Sequence, residues 1–306
     1  MLATMGRLRK RPSQVRSRRT VDAMLEGADR ILRKDGYEAA STNRIARVAG
    51  FSVGSLYQYF DDKQAVVGAL IDRFLRKEAE NLSSGIEGLE PQALEESVPQ
   101  LIERIAQTRW THGHLLTTLE QNEEELCQGP ALSYVLRVQA PVNLETLHRF
   151  AAPLYAEAAG DALEERLFCI FRTLHAVTFA HAVDAPAYVD VHQLAGVLAG
   201  LVVKMMSASG EPSEKGRAFL ATLAGSRRTT DSPAARRRRV AQDARTRLLQ
   251  EDVAGPGELE PVVLVAAALP EVLSQATSCG GVRPAQVDSE CARLADLLLT
   301  PARSEP

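Results

Sequence analysis

Val21, Met24, Leu25, Ala28, Ile31 and Leu32 recur at steps of three and four residues, the spacing that lines one face of an α-helix. They predict a first helix over about residues 18–34, stopped at Gly36 by a left-handed C-terminal cap. A second, two-turn helix starts at Ser41 or Thr42, either of which can accept a hydrogen bond from a free amide, and runs to Ala49. Gly50-Phe51-Ser52 reads as a tight turn, with Ser52 placed to cap a third short helix from Val53 to about Phe60. Carboxylates at Asp61 and Asp62 favour a helix start, so a fourth helix is expected from Asp62 to Asn81. Ser83, Ser84, Gly85 and Gly88 predict a break. Beyond it the pattern predicts helices near 91–107, 110–127, 130–157, 161–182 and 188–207. After Gly225 a stretch rich in Arg, Ser, Thr and Pro reads as a linker, followed by helices near 236–250, 258–278 and 285–299. No internal repeat is found.

The segment from Thr42 to Asp61 meets the demands of two short helices that cross closely. Ile45 and Ala49 face inward, Ala46 is small, Gly50 supplies a positive φ, and Phe51, Leu56 and Phe60 complete a small core. Outside it stand Val53, Gly54, Ser55, Tyr57, Gln58 and Tyr59, short or hydrogen-bonding residues on a helix able to enter a major groove. Tyr57 and Tyr59, two apart on a helix, cannot both face the core that Leu56 and Phe60 already occupy.

The run from Gly36 to Leu70 resembles the DNA-binding signature of the tetracycline-repressor (TetR) family at Gly36, Thr42, Ile45, Ala46, Ala49, Gly50, the block from Ser52 to Phe60, and Lys63. The likeness spans about the first 80 residues of the chain. It implies that Thr42, Tyr57, Tyr59 and Lys63 contact phosphates, which set register rather than sequence. It leaves base readout to Arg44, Ser52, Val53, Gly54, Ser55 and Gln58, with Arg44 able to make a bidentate contact to guanine. It also implies that the last two helices of the second domain pair with those of another subunit. The candidates are Asp161 to Ala182 and Tyr188 to Met206, the latter with more apolar surface than one flank of a monomer should show and with Gly196 and Gly200 to let helices approach. A homodimer would set its reading helices about 34 to 36 Å apart and select a palindromic operator.

Alanine and leucine dominate and aromatics are 5% of the chain, a composition that favours an all-α protein. The net charge of −3 would disfavour nucleic acid if it were evenly spread, but from Arg7 to Arg19 the chain carries seven basic residues and no acid. Such an arm can lie along phosphates or in a minor groove, or be a solvated tail. The stretch after it is amphipathic, so no secretory signal is expected. The most apolar segments, Leu194 to Met206 and Val262 to Leu273, are shorter than a membrane span needs. A soluble cytoplasmic protein without membrane contact is expected, with Cys127, Cys169, Cys279 and Cys291 as free thiols, since no CxxC pair occurs.

For a small-molecule effector, candidate lining residues are Trp110, His114, Leu115, Tyr134, Leu147, Phe168, Phe171, His175 and Phe179; apolar periodicity of this kind also reports plain core. His112 and His114 diverge on a helix and lack a completing ligand, so no metal or other cofactor is expected. No nucleophile elbow, phosphate loop or HExxH occurs, so no enzyme is expected. Glu123, Glu124 and Glu125 read as a solvated face, and Arg236 to Arg239 as solvated or as DNA or partner contacts. The expected order is a basic arm over 1–19, a reading head over 20–66, an effector and dimerisation domain over 67–210, and an extension over 211–306. The function expected is a ligand-responsive repressor of operator DNA. The alternative is a DNA-binding regulator without a ligand, working through a protein partner.

Overall fold

The computed structural model describes residues 15–89, 94–126, 145, 147–149, 151–155, 160–184, 189–226, 231–251, 253, 259–276 and 282–300. Among them there is no strand. The all-α expectation therefore holds. The arm up to residue 14, most of the helix expected over 130–157 with Tyr134 in it, and Cys127 and Cys279 lie outside the described residues.

Two compact units are formed, residues 1–83 with 112–143 and residues 84–111 with 144–306. The first unit begins with α1 (Val15–Asp35), α2 (Thr42–Ala49), α3 (Val53–Tyr57) and α4 (Lys63–Glu87, whose last residues fall in the second unit). All six apolar positions that predicted α1 are buried. Gly36 (φ 77°) and Gly50 (φ 79°) stop α1 and α2 in the left-handed region that a side chain rarely enters. Asp62 precedes α4 rather than beginning it: its Oδ1 accepts from the Ala65 N–H at 2.7 Å. The break expected at Ser83 to Gly88 does not occur until after Glu87. Gly85 sits inside α4, where a Cβ would collide with the Leu101 side chain. It makes room for a side chain of the next helix, α5 (Leu94–Thr111), and is not a turn. The helix expected over 110–127 is likewise two helices, α6 (Gly113–Gln121) and α7 (Glu123–Leu126), and both belong to the first unit.

The second unit is built around α8 (Leu163–Asp184), with α9 (Val191–Ser207), α10 (Glu214–Gly225), α11 (Pro233–Gln250), α12 (Leu259–Ala276) and α13 (Pro284–Leu298). Helix α10 falls where sequence patterning predicted none; its signal was Ser213, whose hydroxyl caps the Gly216 N–H at 3.1 Å. The helices after Gly225 are no appendage. Val240, Ala244, Val265, Leu269, Cys291 and Ala295 share one apolar core with Phe168, Leu194, Leu198 and Met205. Helix α8 packs on α5, α12 and α13, and α9 packs on α5, α12 and α13. The apolar surplus of α9 that argued for a second subunit is thus covered by the chain's own helices, with Leu194, Leu198, Leu201, Met205 and Met206 all buried.

Helix α12 exceeds the apolar run seen in sequence. It is 18 residues long with a mean hydropathy of 1.4, enough by length and composition to cross a membrane, yet 56% of it is buried inside the protein, as a core helix would be.

Polar ties fix the tail helices to α8. Arg166, 1% exposed, donates through Nε to Glu290 Oε2 at 2.9 Å and through Nη1 to the Ala208 carbonyl at 2.7 Å. Arg293 approaches the same carboxylate at 3.3 Å and donates to the carbonyls of Ser209 and Gly210. Beside them Cys169 and Cys291, both free and fully buried, have their sulfurs 3.3 Å apart. The arginines of α11 are also engaged: Arg237 makes two 2.9 Å bonds to Asp184, and Arg239 pairs with Asp231. The solvated or DNA-contacting run expected there is instead largely a set of intramolecular ties.

A carboxylate buried between two guanidiniums stabilises little when intact and costs much when broken. Glu290→Gln should lower stability by about 3 kcal/mol in urea unfolding. A loss below about 1 kcal/mol would mean that water screens the pair.

Candidate nucleic-acid interface

Helices α1 to α3 form the head. Gly27 of α1 lets α2 come close, since a Cβ there would lie 3.2 Å from Ala49 Cβ, the Ala49 nitrogen and the Ile45 carbonyl. Ile45, Ala46, Leu56 and Phe60 fill the space between the helices and are essentially inaccessible to solvent. Phe51, expected in this core, is 36% exposed instead. Its backbone N–H closes the α2 cap on the Ala46 carbonyl at 2.9 Å, directly after Gly50 in the left-handed region.

Helix α3 is shorter than expected, five residues with Phe60 reached through a turn. Ser52 caps it by accepting from the Ser55 N–H at 3.1 Å, and the two hydroxyls lie 2.9 Å apart. Ser52, Gly54, Tyr57 and Gln58 are exposed, and Val53, Ser55 and Tyr59 are partly so. Thr42 Oγ1 and Tyr57 Oη are 3.2 Å apart, so the start of α2 and the end of α3 present their hydroxyls together. Lys63 Nζ sits 4.0 Å from the centroid of the Tyr37 ring and 4.0 Å from Glu38. Tyr37 in turn donates to Glu125 Oε2 at 3.0 Å. Glu125 is therefore not simply part of a solvated face. Arg44 is partly exposed and bonded back to its own turn, to the Ala39 carbonyl and to Asp35.

The effector candidates separate. His114 and Leu115 belong to the first unit, where His114 Nε2 lies 2.8 Å from Asp29 Oδ1 and Leu115 is buried. The other described candidates are in the second. Phe168 and Phe171 are buried, Leu147 is partly buried, and Trp110 is 43% exposed with its ring 5.0 Å from that of His181. His175 and Phe179 stack with centroids 6.4 Å apart. Sequence patterning missed the cations beside them. Arg109, 6% exposed, donates to the His175 carbonyl at 3.0 Å and to Thr178 Oγ1 at 2.7 Å, and Arg172 lies over the Phe168 ring. Among the described residues no group of three or more His, Cys, Asp or Glu is arranged to hold a metal ion.

A three-helix head with a capped, outward-facing third helix and paired hydroxyls at its edge is a helix-turn-helix DNA-binding domain. Residues 24–70 match the tetR family of bacterial regulatory proteins, so the head of this chain is a tetR-type DNA-binding domain. Among solved structures, the fatty acid degradation regulator FadR from Bacillus halodurans is similar over 63% of this chain and 96% of its own, at 20% identity and a TM-score of 0.48. No curated protein matches.

Burial, reinforced by the Arg109 and Arg172 cations, holds the His175 imidazole well below the usual histidine range. The unfolded chain takes up a proton near pH 6.5 that the folded chain does not. The group therefore costs stability as pH falls below that value. In a proton NMR titration from about pH 7.5 to about pH 5.5, the His175 ring signals should stay at their neutral positions. A midpoint at or above the unperturbed value would show that the site is open to water.

Proposed function

We propose that this regulator binds a palindromic operator as a homodimer and represses transcription until a small-molecule effector releases it. The observation that carries the DNA part is the exposed row on α3 flanked by the Thr42 and Tyr57 hydroxyls. In this reading Thr42, Tyr57, Tyr59 and Lys63 hold phosphates, and Ser52, Val53, Gly54, Ser55 and Gln58 face base edges. The basic arm adds non-specific attraction to the backbone. The protein acts in the cytoplasm.

Dimerisation uses the outward face of α9, where Gln193, Gly196, Gly200 and Lys204 are exposed and a Cβ on either glycine would meet nothing within 4 Å. A helix from a second copy can approach that backbone closely. The effector site is in the second unit, among Trp110, Phe168, Phe171, His175 and Phe179, and the helices after residue 211 belong to the same effector domain through their shared core. The effector shifts the dimer toward a state whose head spacing no longer fits the operator, which requires that it bind that state more tightly.

Selection from a random duplex library at fixed salt tests the reading. Wild type should enrich a palindrome, and Tyr57→Ala should fail to. Lys63→Ala should weaken binding to all sequences alike and reduce the salt slope by about 1. Enrichment of a non-repeated site by a species that sediments as a monomer would overturn the dimer.

A further inference from the structure

We propose that Arg44 does not read a base but, with Asp35, forms a bracket that positions α2 and hence the whole reading surface. The inference rests on the DNA-binding reading above and assigns a residue role that the resemblance alone leaves to base contact.

The geometry is specific. Arg44 Nη1 donates to the Ala39 carbonyl at 3.2 Å while Nη2 pairs with Asp35 Oδ2, and the Arg44 backbone N–H is taken by Ser41 Oγ at 3.2 Å. One residue therefore spans the whole connection from the last residue of α1 to the first turn of α2. The side chain is 34% exposed, with its guanidinium turned back along its own chain. To reach a guanine it would give up a charged partner and a carbonyl at once. Asn43 and Arg47, by contrast, stand exposed on another face of α2.

The bracket matters because α2 has only eight residues and only Ile45 and Ala46 of them are buried. Contact with Gly27 sets how near α2 lies to α1, through Ile45 and Ala49. It does little to stop the first turn of α2 from swinging about that contact. That first turn carries Thr42, whose hydroxyl meets Tyr57 at the end of α3. Loss of the bracket would let Thr42 and Tyr57 drift together from their phosphates, which weakens binding to every sequence and alters preference at none.

The experiment compares wild type, Arg44→Ala, Asp35→Asn, the double variant and the exchanged pair Asp35→Arg with Arg44→Asp. Each is put through duplex selection and then titrated, below its melting transition, against the duplex that wild type enriches. Arg44→Ala and Asp35→Asn should each bind about fivefold more weakly, with base preference unchanged at every position. The double variant should be no weaker than either single one, and the exchanged pair should recover part of the affinity, which a base-reading arginine could not do. Should Arg44→Ala fail to fold, Asp35→Asn, at a partly exposed surface position, decides by the same criteria. Relaxed preference at one base pair per half-site in Arg44→Ala but not in Asp35→Asn would make Arg44 a reader and overturn the proposal, as would additive losses or unchanged affinity in Asp35→Asn. A wild type that enriches no duplex would overturn the DNA-binding reading itself, and the bracket with it.

Discussion

A helix of five residues has no stability of its own in water, so α3 exists because Leu56 and Phe60 are buried against α1 and α2 and because Ser52 caps it. That burial does more than hold the helix. With Leu56 inside, Tyr57 and Gln58 must stand outside, and the Tyr57 hydroxyl falls beside Thr42. The exposed surface of the head is thus the geometric complement of its core, and everything the head offers to DNA depends on that small packed contact being rigid.

The second unit answers a different constraint. Helix α8 has fifteen of its residues buried, including Glu165, Arg166 and Arg172. So much surface on one helix needs neighbours on every side, and the C-terminal helices supply them. Charges taken out of water with them must be matched: Glu165 meets Arg283, and Arg166 meets Glu290. These pairs join residues more than a hundred positions apart. They tie the tail to the rest of the unit in one arrangement, which apolar packing alone would specify less sharply.

Local signals survived into the structure where one residue settles the backbone. Gly36 and Gly50 stop helices, Ser52 starts one, and the six apolar positions of α1 are all buried. They failed where a residue has two uses. Gly85 read as a turn but makes room for the Leu101 side chain, and the arginines of α11 read as solvated but pair with Asp184 and Asp231. Arg44 is the sharpest case, because its place beside Thr42 suggests the groove and only the nearness of Asp35 and Ala39 shows where its guanidinium goes.

By itself the sequence determined a helical protein with a helix-turn-helix head, because periodicity, caps and turn glycines act over a few residues and leave their mark in order along the chain. Tertiary structure alone decided which partner each exposed or charged side chain takes. It placed Glu125 on Tyr37, covered the apolar flank of α9 with α12 and α13, and set Arg109 and Arg172 beside His175. Those choices depend on which distant segments meet, and no local spacing records that.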